Sequence, residues 1–338
     1  VYEQEVIVVP VLLLASFLVT IVFILLLRFC PEKVDRIRPK ASKSPNRRVL
    51  HGIDRKLEAK RSNQPLSARQ VMTWLLSLHT ANATERHSFL NFASFLAQLG
   101  PHPFLPELLG VVSLRAPLVT VMEELENRDL LSFLWRCREV PPMTERRIFT
   151  MAKQVASALE FLHSKGLLHG NVRARNVLVS RDFTAKLWGL HGVYSRKDQG
   201  AARRDDPSMK KWQAPEILAK RPAGPSSDIW SFGILLFEMV SLGEAPFAEI
   251  PANELLQFHQ RGKPLKRPSN CSNALYSFIK SCCQFKDLDR PSMVEMGRKL
   301  LSGEKGASDK AIKASEKMSI EQYLLEAGYG ETNSYTVF

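Results

Sequence analysis

Twenty-two consecutive residues without a charge, Val6 to Leu27, constrain this chain more than any other feature. The run, VIVVPVLLLASFLVTIVFILLL, would measure about 33 Å as a helix at ~1.5 Å per residue, enough to cross a hydrocarbon layer roughly 30 Å thick. A helix there satisfies its own backbone groups, which lipid cannot do for it. A secretory signal peptide has a shorter apolar part and ends at small residues. This run ends in Leu27-Arg28, which predicts a retained single transmembrane helix over 6–27. Pro10 falls in the first turn, where a missing N–H costs least.

Charge sets the orientation. Glu3 and Glu5 precede the span, whereas Arg28, Lys33, Arg36, Arg38, Lys40, Lys43, Arg47 and Arg48 follow it. Lys and Arg cluster on the side that is not translocated, so the N-terminus is expected outside and the rest of the chain in the cytosol. Residues 28 to 61 hold twelve Lys or Arg against four acids, so +8 of the formal +13 belongs to this strip. A basic juxtamembrane strip points to anionic membrane lipid as a partner, and not to nucleic acid. The five cysteines, Cys30, Cys137, Cys271, Cys282 and Cys283, have neither metal-site spacing nor scaffold density, as expected of free thiols in a reducing compartment. Cys30, three residues past the span, is a candidate for palmitoylation. The chain begins at Val1 and not at Met, so further N-terminal sequence is expected.

Residues 28–66 are basic and rich in Pro, Ser and Asn, without hydrophobic period, and read as a linker. Ser67 and Gln70 form a capping pattern ahead of Val71, Trp74, Leu75 and Leu78, which fits a helix; Val71–Leu75 fits a strand equally well. Asn82 and Glu85 open a periodic run, Phe89, Phe92, Phe95, Leu96 and Leu99, that Gly100 and Pro101 close, which predicts a helix with both ends marked. Val111 to Leu125 predicts two short strands around Arg115-Ala116-Pro117. Asp129 starts a helix, and Thr144 to His163 describes a longer amphipathic one. The remainder to Leu301 reads as mostly helical, with Asp228–Leu236 apolar nearly all round, as suits a helix at the centre of a domain.

Three stretches carry the chemistry. His169-Gly-Asn-Val-Arg-Ala-Arg-Asn-Val-Leu-Val179 is followed by Lys186-Leu-Trp-Gly-Leu-His191 and by Lys211-Trp-Gln-Ala-Pro-Glu216. Farther on stand Asp228-Ile-Trp-Ser-Phe-Gly-Ile-Leu-Leu-Phe-Glu-Met-Val-Ser-Leu-Gly-Glu-Ala-Pro246 and Asp289-Arg290-Pro291. Together, from about 85 to 302, they resemble the catalytic loop, metal loop, activation-segment end and C-lobe of protein kinases of the tyrosine-kinase group. The resemblance implies an α+β fold: a two-lobed domain over 67–302, with a reduced N-lobe to about 124 and a largely helical C-lobe from about 125. Residues 303–338 are left as a tail. By the same resemblance Asp228 would hold the catalytic-loop backbone, Glu216 would pair with Arg290, and Met122 would stand at the gatekeeper place beside a nucleotide.

The groups that manage phosphate charge are missing. In such kinases a glycine loop covers the phosphates, a strand lysine paired with a helix glutamate grips them, one Asp holds Mg²⁺ and another accepts the hydroxyl proton. Asn171 takes the place of the proton-accepting Asp, and an amide is no base near neutral pH. Gly170 replaces the neighbouring Arg, so a phosphorylated activation loop would lose its cationic seat. Thirteen residues after Asn176, Gly189 occupies the place of the metal-holding Asp, leaving Asn176 as a weak Mg²⁺ ligand. Gly52 is the only glycine between Leu27 and Gly100, no lysine lies between Lys60 and Lys153, and Phe92 stands where the helix glutamate belongs.

Asp182 and His191 are the remaining candidate stand-ins, and both read first as a solvated turn acid and a hydrogen-bonded loop residue. The activation segment, Gly189 to Glu216, carries Arg196, Lys197, Arg203, Arg204, Lys210 and Lys211 with one tyrosine, Tyr194, and reads as a mobile basic loop with a candidate phosphotyrosine switch. In the polar tail Ser319–Ala327 has the pattern of a short amphipathic helix, and Tyr323, Tyr329 and Tyr335 are candidate docking tyrosines. The ending Ser334-Tyr-Thr-Val-Phe338 has the form that PDZ domains capture.

Three functions follow. The first is a membrane-anchored tyrosine-kinase-like pseudokinase that works as a signalling scaffold or regulator toward other signalling proteins or kinases, with no cofactor. The second is an active tyrosine kinase of atypical mechanism that uses ATP and Mg²⁺. The third is a lipid tether whose kinase-like part is inert, which explains the basic strip but not the intact C-lobe pattern.

Overall fold

A computed structural model describes residues 83–113, 118–195, 207–314 and 320–327. The expected transmembrane helix, the basic linker, the Ser67–Leu78 segment, residues 196–206 of the activation segment and the last residues of the tail lie outside the described residues. Among the described residues no helix is long and apolar enough to cross a membrane.

Helix α1 spans Ala83–Leu99 and buries Phe89, Ala93, Leu96 and Leu99 along one stripe. It stops where Gly100 turns left-handed at φ +83°, a conformation that only glycine takes without strain. Strands β1 (Leu108–Val112) and β2 (Val119–Met122) pair antiparallel from Leu108↔Met122 to Val112↔Val119, with an irregularity between Leu108 and Gly110. The first strand thus begins ahead of Val111, the start that its β-branched pair suggests. This small hairpin and α1 precede a much larger helical part.

Helix α2 (Leu130–Arg136) starts at Asp129, whose Oδ1 accepts the backbone N–H of Ser132. Helix α3 (Glu145–Ser164) starts at Thr144, whose hydroxyl accepts from the N–H of Arg147. Such caps satisfy orphan N–H groups and are typically worth ~1 kcal/mol each. Between Leu167 and Ser195 the chain forms no α-helix, only two three-residue 3-10 turns, Ala174–Asn176 and Leu190–Gly192, where the sequence reading has mostly helix. Four strands of two or three residues occupy it: β3 (Leu167–Leu168), β4 (Val177–Val179), β5 (Ala185–Leu187) and β6 (Tyr194–Ser195). β3 pairs with β6 and β4 with β5. Runs this short cannot display a period of 2, so the pattern hid them.

Helices α4 (Pro215–Leu218), α5 (Pro225–Val240), α6 (Leu255–Gln260), α7 (Asn273–Cys282) and α8 (Met293–Gly306) complete the large part. α5 is buried continuously from Ser227 to Val240, so it forms the axis of the core. Gly233 admits α7 so closely that a Cβ there would lie 2.6 Å from Cys282 Cβ. Residues 307–314, read as polar tail, lie instead along the start of α3: Ser308 accepts the N–H of Arg146, and Ile312 donates to Met143. A last helix, α9 (Ile320–Glu326), packs Tyr323 into the core at 1% exposure. That burial keeps Tyr323, a candidate docking tyrosine, out of another kinase's reach while α9 is docked. Cys137, Cys271, Cys282 and Cys283 are free thiols.

Candidate functional site

The loop from His169 to Asn176 hangs from Asp228, on the first turn of α5. Asp228 Oδ2 accepts the N–H of His169 at 2.9 Å, and Oδ1 accepts that of Gly170 at 2.7 Å. His163 Nε2 lies 3.0 Å from Oδ2. Burial pushes the Asp228 carboxyl up, but the bond and charge of His163 and the Gly170 N–H outweigh it, so it lies below the ordinary carboxylate value. An acid in a helix that is otherwise apolar must be paired this way, because an unpaired buried charge is prohibitively costly.

His169 joins this loop to the next. Its Nδ1 accepts the N–H of Asn171, so the proton sits on Nε2, which donates to the Trp188 carbonyl at 2.8 Å. Complete burial lowers its pKa, in keeping with a neutral ring. Glu238, a turn from the end of α5, takes the N–H of Ala174 on Oε2 at 2.8 Å. Burial raises its pKa to about 7, and its Oε1 makes no hydrogen bond among the described residues. The only sequence sign of Glu238 is that it too is an acid inside an apolar helix.

At the centre stand Asn171, Asn176 and Gly189. The side-chain amide of Asn176 donates to the Asn171 carbonyl at 2.8 Å, and Asn171 Oδ1 is buried without a partner among the described residues. Gly189 is left-handed, at φ +84°. A Cβ on it would lie 2.7 Å from Asn176 Cγ and 2.9 Å from its Nδ2. The place of the metal-holding carboxylate therefore lacks both the group and the room for one while Asn176 keeps this rotamer. Mg²⁺ demands hard oxygen ligands, normally with at least one carboxylate, and two carboxamides and a glycine do not fit it. Among the described residues no cluster of His, Cys, Asp and Glu could hold a metal ion.

An aromatic stack joins α1 to the turn after β5. The rings of Phe92 and His191 lie 3.7 Å apart at 24°, with Phe95 and Trp188 at 6.4 and 6.1 Å on either side. His191 is thus a stacked loop ring, exposed as a residue, and partial desolvation by its neighbours lowers its pKa. Alternation along β5 sends Ala185 and Leu187 into the core and Lys186 and Trp188 to the opposite face. There Lys186 pairs with Glu123, the residue after the buried Met122. Neither Trp188 nor the Lys186–Glu123 pair was foreseen. Asp182 is a turn acid bonded to Ser180 and Thr184, and those bonds lower its pKa.

The end of the activation segment is firmly held. Arg290 donates to both oxygens of Glu216, at 2.8 and 2.9 Å, and to the carbonyls of Gln284, Ser226 and Phe285. Ser227 Oγ adds a third bond to Glu216 at 2.7 Å. Lys211 is no part of a loose basic loop: it is 4% exposed and its Nζ donates to the carbonyls of Phe247 and Ala248 at 2.9 and 3.3 Å. Burial lowers its pKa to about 8.

Comparison with known proteins agrees with this frame. The human tyrosine-protein kinase STYK1 is 42% identical over 257 residues, 73% of this chain and 61% of that protein. Its mouse counterpart is 40% identical over 264 residues, 75% of this chain and 62% of that one. The Xenopus laevis insulin-like growth factor 1 receptor is 31% identical over 228 residues, 64% of this chain and 16% of the receptor. The chain therefore spans about three fifths of the length of its STYK1 relatives. A profile described as protein tyrosine and serine/threonine kinase matches residues 56–300, which takes in the catalytic loop, the Glu216–Arg290 pair and α5. On that match, and on the loop geometry that Asp228 imposes, the chain belongs to the protein tyrosine and serine/threonine kinase family.

Proposed function

We propose that this protein is a membrane-anchored pseudokinase that presents a kinase-shaped cytosolic surface to other signalling proteins. One observation carries the reading: at the metal place Gly189 is left-handed with Asn176 packed where a side chain would begin, and the neighbouring base place holds an amide. Phosphoryl transfer is positioning and charge neutralisation, and one preorganised electrostatic group is commonly worth about 10²–10³ in rate. Losing the carboxylates together leaves little to position a nucleotide triphosphate. The anchor rests on the uncharged run over 6–27, and the orientation on the basic flank, which would also meet anionic lipid. A PDZ domain at the last residues would be one partner class.

A second reading is favoured by the STYK1 relatives, which are named as tyrosine-protein kinases. Under it, ATP and Mg²⁺ would bind by other contacts. One experiment separates the two. The full chain in lipid nanodiscs is heated with ATP, with and without Mg²⁺, because a ligand of the folded state raises the midpoint by mass action. The pseudokinase reading expects no Mg²⁺-dependent shift and no transfer of radiolabelled phosphate to a peptide. Transfer that disappears on Asn171→Ala or Asn176→Ala substitution would establish the kinase instead.

A further inference from the structure

The short helix α9 covers a groove on the large helical part. Tyr323 is 1% exposed and Ala327 fully buried, while Leu325 on the other side is 68% exposed, so one narrow stripe faces inward. The Tyr323 ring meets the indole of Trp135 edge-on, with centroids 5.2 Å apart at 77°. Trp135 is held in turn by its Nε1 bond to the Gly243 carbonyl at 3.0 Å. The Glu326 carboxylate lies near enough to Lys211 to favour its charged form. Lys211 itself reaches the carbonyls of Phe247 and Ala248. The groove is thus walled by α2, the Gly243–Ala248 turn and the end of the activation segment, and this chain's own C-terminal helix fills it.

A seven-residue helix is not stable by itself in water, so α9 exists because it is docked. Short terminal elements open locally at low cost compared with global unfolding. Opening would bring the Tyr323 hydroxyl, with Glu321 two residues before it, into solvent. We propose that α9 is an intramolecular cover on this groove, and that phosphorylation of Tyr323 by a separate, active tyrosine kinase holds the cover off. In that step the phenol oxygen attacks the γ-phosphorus of the other kinase's ATP. The bond from that phosphorus to the bridging oxygen breaks, ADP leaves, and the phenolic proton passes to the other kinase's base.

The modified side chain cannot return. It carries about −1.5 to −2 charge, and its former position is closed to water. Lys211, whose charge Glu326 favours, is already committed to two carbonyls. The uncovered groove then fits a partner helix of the chemistry it has released, an aromatic anchor followed three residues later by a carboxylate. This inference is independent of whether nucleotide binds the chain itself.

The test uses the full chain in nanodiscs, phosphorylated in vitro by an active tyrosine kinase, beside Tyr323→Glu, Ala327→Asp and Tyr323→Phe variants. Hydrogen exchange is followed by mass spectrometry, and binding of a fluorescent peptide of residues 318–328 by anisotropy. Phosphorylation, Tyr323→Glu and Ala327→Asp should each speed exchange in 131–137, 243–248 and 320–327 by about tenfold or more. They should tighten peptide binding by at least about tenfold, whereas treating Tyr323→Phe with the kinase changes neither reading in that variant. Faster exchange confined to 320–327 overturns the proposal, as does a peptide that binds all forms equally or none. So does a kinase that phosphorylates the free peptide but never Tyr323 in the chain.

Discussion

Replacing Arg290 by Met should cost this domain about 3–5 kcal/mol, the usual loss when one partner of a buried ion pair is removed. The size follows from the surroundings. Arg290 is fully buried and Glu216 8% exposed at the side chain, and Arg290 supplies two of the three side-chain hydrogen bonds that Glu216 receives. Without it the carboxylate keeps only Ser227, and three carbonyls lose their donor. For a domain of this size each kcal/mol moves the midpoint by roughly 2–4 °C, so the thermal midpoint followed by tryptophan fluorescence at pH 7.5 should fall by about 6–20 °C.

The pH dependence makes the test sharper. In the wild type, burial raises the Glu216 pKa, but the bonds from Arg290 and Ser227 outweigh it and leave it depressed. Its contribution is therefore present above the unfolded value and lost as pH falls through the folded one. In Arg290→Met the burial remains and its main opponent is gone, so the folded pKa should lie above the unfolded one. The native variant then takes up a proton more readily than the unfolded chain, and its deficit should shrink as pH falls from 7.5 toward 5. Glu216→Gln combined with Arg290→Met should recover part of the loss at pH 7.5. A deficit below about 1 kcal/mol, or one equal at the two pH values, would refute the reasoning, because it would mean that water reaches the carboxylate.

Gly189→Ala should destabilise the fold by about 1–3 kcal/mol, from the left-handed backbone and the Asn176 contact, and Asn176→Ala in the same chain should restore part of it in chemical denaturation. Phe92→Glu, which puts back the acid of active kinases, should lower the midpoint instead of creating an ion pair, since its neighbour is the His191 ring; a stabilised Phe92→Glu protein would contradict the stack. Glu238→Gln keeps an acceptor for the Ala174 N–H and removes an ionisation. Because the folded pKa is raised to about 7, the wild type loses stability between the unfolded value and that pH, so the Gln variant's advantage should grow with pH, level off above it, and reach on the order of 2–3 kcal/mol.

The sequence disclosed this fold wherever a local rule and a family motif coincided. Asp129 and Thr144 cap their helices as their types suggest, and the apolar stretch after Asp228 is the buried axis. What stayed hidden depends on partners far apart in the chain. Phe92 reads as a missing glutamate, and only the fold brings His191 against it. Lys186 and Glu123 are ordinary surface types until β5 and the end of β2 set them together, 63 residues apart. Tyr323 lies in a polar stretch and looks available, yet its burial comes from Trp135, which no local pattern links to it. Lys211 likewise counts among the basic residues of a loop until the Phe247 and Ala248 carbonyls claim it.

The buried acids of this domain share one property: each is committed to the frame. Glu216 is bound to Arg290 and Ser227, Asp228 to two loop N–H groups and His163, and Glu238 to the N–H of Ala174. Removing any of them leaves buried donors without partners, a cost of about 1–3 kcal/mol for each group. The acids that kinase chemistry needs have no such duty, because they must stay free to meet metal and substrate. Their loss removes no interaction that the fold depends on, and at Gly189 and Phe92 the vacated places are taken up by Asn176 and by an aromatic stack. A kinase frame can therefore hold together without carboxylates at positions 171 and 189. The same separation explains why Asp228 and Arg290, although family hallmarks, say nothing about turnover, whereas the occupants of positions 171 and 189 do.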